Sequence, residues 1–362
     1  MTTATDPVES GPAQRSDLSP EPTGSSPNPA PEPDASNANT EGEAVIEADP
    51  NVDDGYATAS NGGSTASTSI SSSIRDYNFE NRRRYHKFKE GSYFLPNDDI
   101  EQEREYMKHA MVMNLCDGRL HYTPLENPQK ILDVGTGIGV WAIEMGDEYP
   151  NATVTGIDLS PIQPSWVPPN VQFYVEDAET DWIIDDNSLD YIHIRYMTAA
   201  IRDWPTFLAR CYRALKPGGW IELQETKFSL QCDDNTLQDD NQTVEFLRVV
   251  SKGLAALNID LLSMQHNLER VKDARFINAK ERILKAPLGG WARDKTLRTV
   301  GLYNLAAWND GLYGISIRPC TKGLGWSVAD VELFLLGVRK SLHDKSQHVY
   351  TPFHIVTAQK PE

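Results

Sequence analysis

Short apolar runs alternate with segments of helical periodicity from residue 130 onward. The runs lie at 130–134, 153–157, 171–175, 189–194 and 219–224, and segments such as 139–148 and 203–215 between them have the length and pattern of helices. Short strands that alternate with helices are typical of βαβ units, whose strands form a parallel sheet. The pattern therefore predicts an α/β fold with a mostly parallel sheet.

Further elements are predicted on both sides of this alternation. A helical pattern runs from residue 98 to about Asp117. Near the end of the chain, Ser327 is a candidate N-cap for a helix over 327–343, and the apolar run 348–357 predicts a strand that completes the sheet.

Long amphipathic stretches interrupt the alternation after residue 228. The stretch 241–257 carries apolar residues at helical spacing, and so does 260–284. We therefore predict a helical cap insertion over about 228–322.

Residues 1–74 differ in composition from the rest of the chain. They are rich in Pro, Ser, Thr, Gly, Asn and Ala, and Tyr56 is their only aromatic residue. Such a stretch cannot bury enough apolar surface to offset its conformational entropy. We predict a disordered acidic tail over 1–74 and a folded domain over 75–362.

Charge limits the kinds of partner that the folded domain can have. The tail holds 12 acids and one base, so the remaining 288 residues carry −7 of the total charge of −18. An acidic body argues against direct nucleic-acid binding, which needs a basic face. A basic run stands out locally, and either a weak nuclear-import signal or a solvated face explains it. The run comprises Arg82, Arg83, Arg84, Lys87 and Lys89.

The cysteines and the hydropathy pattern point to an intracellular protein that does not cross a membrane. Cys116, Cys211, Cys232 and Cys320 lie far apart without CxxC pairing, so neither a disulfide framework nor a metal site is predicted. No apolar stretch approaches the roughly 20 residues needed to span a bilayer.

A glycine-rich turn follows the first strand of the alternation. Gly135, Gly137 and Gly139 lie in the segment ILDVGTGIG, where glycine permits a tight turn and the close approach of a ligand. A dinucleotide-binding turn would place its third glycine at position 140, which is Val140. Nucleotide-binding folds of several chemistries share such a turn, so neighbouring residues must decide between them.

Asp133, directly ahead of the turn, favours S-adenosylmethionine (SAM) over a dinucleotide. A carboxylate there repels a pyrophosphate but suits the α-amino group of the methionine part of SAM, directly or through water. The alternative is that Asp133 only caps the helix that follows. An NAD-linked oxidoreductase remains a more remote alternative.

Two more acids follow at the ends of the next two strands. Asp158 stands where a carboxylate can accept hydrogen bonds from both ribose hydroxyls, a device that NAD enzymes share. Asp177 offers an acceptor for the adenine amino group, and Ala178 offers a backbone N–H for a ring nitrogen. Asp177 could instead be a simple turn residue. His193, on the fourth strand, is expected to pack rather than to act as a general base.

Several segments outside the turn resemble the fungal LaeA-like methyltransferases. They are RRYHKFKEGSYFLPNDDIEQER (83–104), DLSPIQPSWVPPNV (158–171), EDAETDW (176–182), PLGGW (287–291), DKTLRTVGLYNLAAW (294–308), GLGWS (323–327) and HVY (348–350). The resemblance covers the chain from about residue 82 to the end. It implies a SAM-dependent methyltransferase of the type that regulates secondary metabolism.

The resemblance also implies details of fold and site. It implies a Rossmann-like sheet of seven strands, the last antiparallel, with the segment from Tyr93 to Asn97 and the insertion covering the pocket. Tyr93 would then lie near the sulfonium, which an aromatic ring favours, although ordinary packing also explains it.

The methyl acceptor stays open, as a protein or a small molecule. A second hypothesis is a regulatory subunit of a nuclear complex that acts mainly as a scaffold, and a third is a small-molecule methyltransferase of a biosynthetic pathway. Family resemblance slightly favours the nucleus over the cytoplasm. No catalytic residue is predicted, because in-line methyl transfer needs little more than alignment and exclusion of water.

Overall fold

A central mixed sheet dominates the structure, a computed structural model that describes residues 45–49, 77–89, 93–238 and 240–362. Five strands are parallel, namely Lys130–Val134 (β3), Thr153–Asp158 (β4), Val171–Val175 (β5), Leu189–Arg195 (β6) and Leu215–Thr226 (β7). Their spatial order is β5-β4-β3-β6-β7. The predicted α/β fold is confirmed.

The last strand, β10 (Val349–Gln359), pairs with β7 in antiparallel register. On its other side β10 pairs with β9 (Ile277–Pro287) and with the two-residue strand β8 (Gln231–Cys232). The sheet thus has the seven implied strands and one short additional strand.

Strand β9 corrects the predicted helix over 260–284. That stretch is a 3₁₀ helix (Leu261–His266), a short helix α5 (Asn267–Asp273) and then the first half of β9. The helix ends at its C-cap Ala274, and Arg275, directly after it, has a positive φ of +71°. The pairing of β9 with β10 then satisfies backbone groups that would otherwise be left at the sheet edge.

The remaining helices lie on the two faces of the sheet and in the insertion. They are α1 (Asp99–Leu115), α2 (Val140–Glu148), α3 (Trp204–Ala214), α4 (Gln242–Ala255), α6 (Lys295–Arg318) and α7 (Val328–Leu342), with a π-helical turn at Pro319–Gly323. Ser327 caps α7 in a capping box with Asp330, as its position predicted.

Side chains on β6 alternate between two hydrophobic cores. Ile192 and Ile194 pack in a cluster with residues of α3, whereas Tyr191 packs with Trp141 of α2. This period of two fixes the register of the strand. It also places His193 on the same face as Tyr191, against α2.

A short segment of the predicted tail pairs with the domain. Ala48 forms a β-bridge with Ala292, and the Asp49 N–H donates to the carbonyl of Trp291 at 2.7 Å. The expectation of disorder over 1–74 therefore does not hold for residues 45–49. The rest of that stretch lies outside the described residues.

The basic run lies partly within an N-terminal hairpin, β1 (Tyr77–Glu80) and β2 (Arg83–His86). Arg83 is 5% exposed and donates to both carboxylate oxygens of Asp98. At least this arginine is part of the fold and is not a free surface charge. None of the helices in the described ranges is both long and apolar enough to cross a membrane.

Candidate cofactor site

The carboxyl ends of β3, β4 and β5 converge on a cavity of about 120 Å³. Ligands of open α/β sheets bind at this end of the strands. Six of the eight predicted residues line the cavity, namely Tyr93, Gly135, Gly137, Asp158, Asp177 and Ala178. Asp133 lines a smaller adjoining cavity of about 40 Å³.

The glycine turn needs glycine for different reasons at each position. All three glycines have positive φ, +73° at Gly135, +56° at Gly137 and +80° at Gly139. A Cβ on Gly139 would lie 2.5 Å from the Phe173 ring, whereas a Cβ on Gly137 would meet no atom within 4 Å. Gly139 therefore serves packing at the N-cap of α2, whereas Gly137 borders the open space of the cavity.

Alanine at these two positions separates the two roles. We expect Gly139→Ala to lower the free energy of unfolding by about 2 kcal/mol, from left-handed strain and the clash with Phe173. Gly137→Ala should cost about 1 kcal/mol of strain but weaken SAM binding more strongly than Gly139→Ala does. Thermal denaturation and calorimetric titration of SAM measure both effects. Unchanged SAM affinity in Gly137→Ala would contradict the assignment.

Asp133 is buried and fully oriented by its neighbours. One oxygen accepts a hydrogen bond from Thr136 Oγ1 at 2.6 Å, and the other lies 2.8 Å from His193 Nδ1. The His193 ring stacks on Trp141 at a centroid distance of 3.7 Å. His193 is thus a packing residue, as expected, and it also fixes the Asp133 carboxylate.

The small cavity beside Asp133 contains polar atoms that lack partners. His193 Nε2 and Arg195 Nη1 are buried without a hydrogen bond to any described residue, and both residues line this cavity together with Glu105. Its volume suffices for water, so Asp133 can reach an ammonium group through water. Arg195 is placed to pair with a carboxylate. These are the groups that the amino-acid end of SAM carries.

Asp158, the last residue of β4, is hydrogen-bonded to the glycine turn. Its Oδ2 accepts a hydrogen bond from the Gly137 N–H at 2.9 Å, and its Oδ1 accepts one from the Ser160 N–H at 2.8 Å. Burial raises the pKa of this carboxyl above its ordinary value. Each oxygen keeps a second lone pair for a ribose hydroxyl.

Asp177 forms an ion pair at the far end of the cavity. Its Oδ1 accepts a hydrogen bond from the Glu179 N–H, and its Oδ2 lies 2.8 Å from Lys89 Nζ. A bound adenine amino group would replace the lysine on that oxygen. The carbonyl of Ala178 accepts hydrogen bonds from Trp182 and Arg210, which fix this turn.

The segment after the hairpin covers the cavity. Tyr93, Leu95, Pro96 and Asn97 line it, and Asn97 Nδ2 donates to Ser160 Oγ at 3.2 Å. Burial raises the pKa of Tyr93 well above its ordinary value, so its ring stays neutral. A neutral aromatic wall is compatible with a sulfonium nearby.

The predicted site residues did not include the charged residues Lys89, Glu105, Lys108 and Arg195. Arg195 follows the fourth strand, and its position there is the one available signal. Glu105 and Lys108 lie on α1, which contacts the site only through tertiary packing. In the described part of the chain, no group of three or more His, Cys, Asp or Glu side chains is placed to hold a metal ion.

The arrangement suits SAM better than a dinucleotide. Asp158 and Asp177, at the ends of successive strands, can accept hydrogen bonds from a ribose and an adenine, and Arg195 and Asp133 can pair with the two charges of an amino acid. A pyrophosphate would have to lie beside Asp133 and Glu105, which would repel it.

Known proteins agree with this geometry. A family model described as a methyltransferase domain matches residues 104–255. Methyltransferase pytC of Aspergillus terreus is 37% identical over 296 residues, which cover 81% of this chain and 91% of that protein. Secondary metabolism regulator LAE1 of Cochliobolus heterostrophus is 33% identical, with 78% and 94% covered. Protein-methionine methyltransferase laeA of Emericella nidulans is 31% identical, with 81% and 79% covered.

The fold, the site and the matching family model define a SAM-dependent methyltransferase. The similarity to these relatives extends far beyond the glycine turn, so it also identifies the family within this class. The chain belongs to the fungal LaeA-like methyltransferase family, as the motifs between residues 83 and 350 indicated.

Proposed function

We propose that the chain is a catalytically active methyltransferase of fungal secondary metabolism, and that its acceptor is a small molecule bound in a second cavity. This cavity has a volume of about 150 Å³ and shares Tyr93, Leu95, Lys108 and Tyr196 with the cofactor cavity. The shared wall is the observation that carries the proposal.

Methyl transfer requires a donor site and an acceptor site side by side, and the two cavities adjoin each other. The reaction is an in-line displacement, and most of its acceleration comes from alignment and exclusion of water. An acceptor in the second cavity would contact the methyl donor through an opening bordered by Tyr93 and Tyr196, which line both cavities. The naming of the relative from Aspergillus terreus as a methyltransferase agrees with this proposal.

A second candidate is a regulatory protein that works within a nuclear complex. The names of the relatives from Cochliobolus heterostrophus and Monascus pilosus, both secondary metabolism regulators, favour it. A basic run would support nuclear import, but Arg83 is engaged with Asp98 within the fold. This candidate therefore rests on the relatives.

Labelled-methyl transfer distinguishes the two candidates. The purified chain and labelled SAM are added to a fungal cell extract, and small molecules are separated from protein. We expect label in a small-molecule fraction, and none with the double variant Gly135→Ala, Gly137→Ala. In cells, a phenotype that survives the same double variant would favour the scaffold. Failure of the wild-type chain to bind SAM or S-adenosylhomocysteine would contradict the proposed methyl transfer.

A further inference from the structure

Glu225 is a buried carboxyl group in the second cavity. It lies near the end of β7, is 3% exposed, and lines the cavity together with Thr198. Its Oε1 accepts hydrogen bonds from the backbone N–H groups of Met197 at 2.7 Å and Thr198 at 2.9 Å. Because both bonds end on Oε1, they fix the orientation of the carboxyl group, and neither involves Oε2.

The walls of this cavity are largely aromatic and aliphatic. Phe228 and Trp308 stack nearly parallel, with ring centroids 6.1 Å apart and 11° between their planes, and Tyr93 and Tyr196 form the side toward the cofactor cavity. An apolar cavity of about 150 Å³ holds a benzene-sized molecule. The space therefore suits a single planar ring.

A second polar group in the cavity is the buried hydroxyl group of Thr198. It lies beside the Glu225 carboxyl group, whose pKa it lowers. A hydroxyl group has one donor and two acceptor lone pairs, so it can also bond to a ligand. Together with Glu225, it offers hydrogen bonding to one polar substituent on an otherwise apolar ligand.

We propose that the acceptor is a planar ring bearing an acidic hydroxyl group, a phenol or an enol, and that Glu225 removes its proton. In this step the acceptor oxygen forms a bond to the methyl carbon while the bond from that carbon to sulfur breaks. The hydroxyl proton passes to the Glu225 carboxylate and then to solvent. The products are a methyl ether and S-adenosylhomocysteine. This inference rests on the proposed function.

The surroundings of Glu225 suit a general base. Burial raises its pKa to about 7, against the opposing effects of the Met197 and Thr198 hydrogen bonds and of Lys108. A base with a pKa near the working pH is the most effective. The titratable and charged groups around Glu225 come from several elements. They are Tyr93 in the segment after the hairpin, Arg104 and Lys108 of α1, Tyr196 after β6, Arg270 of α5 and His354 across the strand pair with β10.

Binding tests the cavity independently of catalysis. Phenol is titrated into the wild-type chain saturated with S-adenosylhomocysteine, and binding is followed by ligand-observed NMR. We expect phenol to bind and Ala199→Leu, which fills the cavity, to weaken phenol binding at least about tenfold. Ala255→Leu, an exposed position on α4, is the matched control and should change nothing. Failure of phenol to bind while S-adenosylhomocysteine binds would overturn this inference alone.

The isosteric variant Glu225→Gln tests the base. Its amide oxygen can still accept both backbone hydrogen bonds, so phenol and S-adenosylhomocysteine should bind as in the wild type. We expect methylation of phenol to rise with pH in the wild type, with a midpoint near 7, since the carboxylate is the active form. In Glu225→Gln the rate should no longer rise with pH over this range, and kcat should fall at least about 100-fold. An unchanged pH profile would show that Glu225 is not the base.

Two acceptor sources share this chemistry, and product analysis separates them. Free phenols and N-acetyltyrosinamide are offered in parallel with labelled SAM. Methylation of free phenols alone identifies a small-molecule acceptor, and methylation of N-acetyltyrosinamide alone identifies a tyrosine side chain. Label found only on methionine sulfur would overturn the inference, because a thioether has no proton for Glu225 to remove.

Discussion

Asp158→Ala is expected to lower the affinity for SAM at least about 100-fold. The carboxylate can accept hydrogen bonds from both ribose hydroxyls, and a bond to a charged acceptor contributes roughly 1.5–3 kcal/mol. The variant also leaves the N–H groups of Gly137 and Ser160 without their acceptor, which loosens the glycine turn. Calorimetric titration of SAM and S-adenosylhomocysteine measures the loss.

Asp190→Ala provides a matched control for this experiment. Asp190 Oδ2 likewise accepts hydrogen bonds from two backbone N–H groups, those of Gln129 and Lys130, at 2.8 Å each. It lies at the opposite end of the parallel strands, away from the cofactor cavity. Its removal should reduce stability and leave SAM affinity within about threefold. Equal losses of affinity in both variants would show that Asp158 acts through stability and not through the ribose.

The parts of the site that the sequence predicted are those fixed by local chemistry. A tight turn after a buried strand needs glycine because φ is positive, and this requirement is visible in the order of the residues alone. The acids Asp158 and Asp177 were predictable because strand ends in a parallel sheet converge on one edge. The geometry of Asp133 was not predictable, since His193 lies 60 residues away and reaches it only across paired strands.

Strand β9 shows how tertiary pairing can override a local pattern. Leu268 and Val271 have helical spacing and do lie in a helix, and Phe276 packs in the same core. Beyond Phe276 the chain pairs with β10, more than 70 residues later. Periodicity within a short window contains no information about such a partner, so the helix was extended too far.

Glu225 was missed for a related reason. In the sequence, Glu225 directly follows the apolar run 219–224. A polar residue at the end of a strand is ordinary and gives no sign of burial. Its burial comes from Met197, Thr198 and the residues of the insertion, which meet only in the folded chain. The same contacts give the acceptor cavity its shape.

The acceptor cavity therefore keeps that shape only if the elements of the insertion pack tightly against one another and against the sheet. Helix α4 lies against the π-helical turn, where a Cβ on Gly323 would stand 2.1 Å from the Gly253 carbonyl oxygen. Phe246 of the same helix packs against Trp308, with ring centroids 6.2 Å apart. A shift of α4 would thus move one wall of the cavity.

Gly253→Ala is expected to lower the free energy of unfolding by about 2–3 kcal/mol, since its Cβ would stand 2.5 Å from the backbone carbonyl oxygen of Pro319. The matched control is Gly337→Ala on α7, where the nearest atom lies 3.5 Å away and the helix should gain about 0.5–1 kcal/mol. Denaturant titration measures both. Because α4 supports Trp308 and not the glycine turn, Gly253→Ala should also weaken phenol binding while S-adenosylhomocysteine affinity stays unchanged. If Gly253→Ala proved as stable as Gly337→Ala, the result would contradict the close approach of α4 to the π-helical turn.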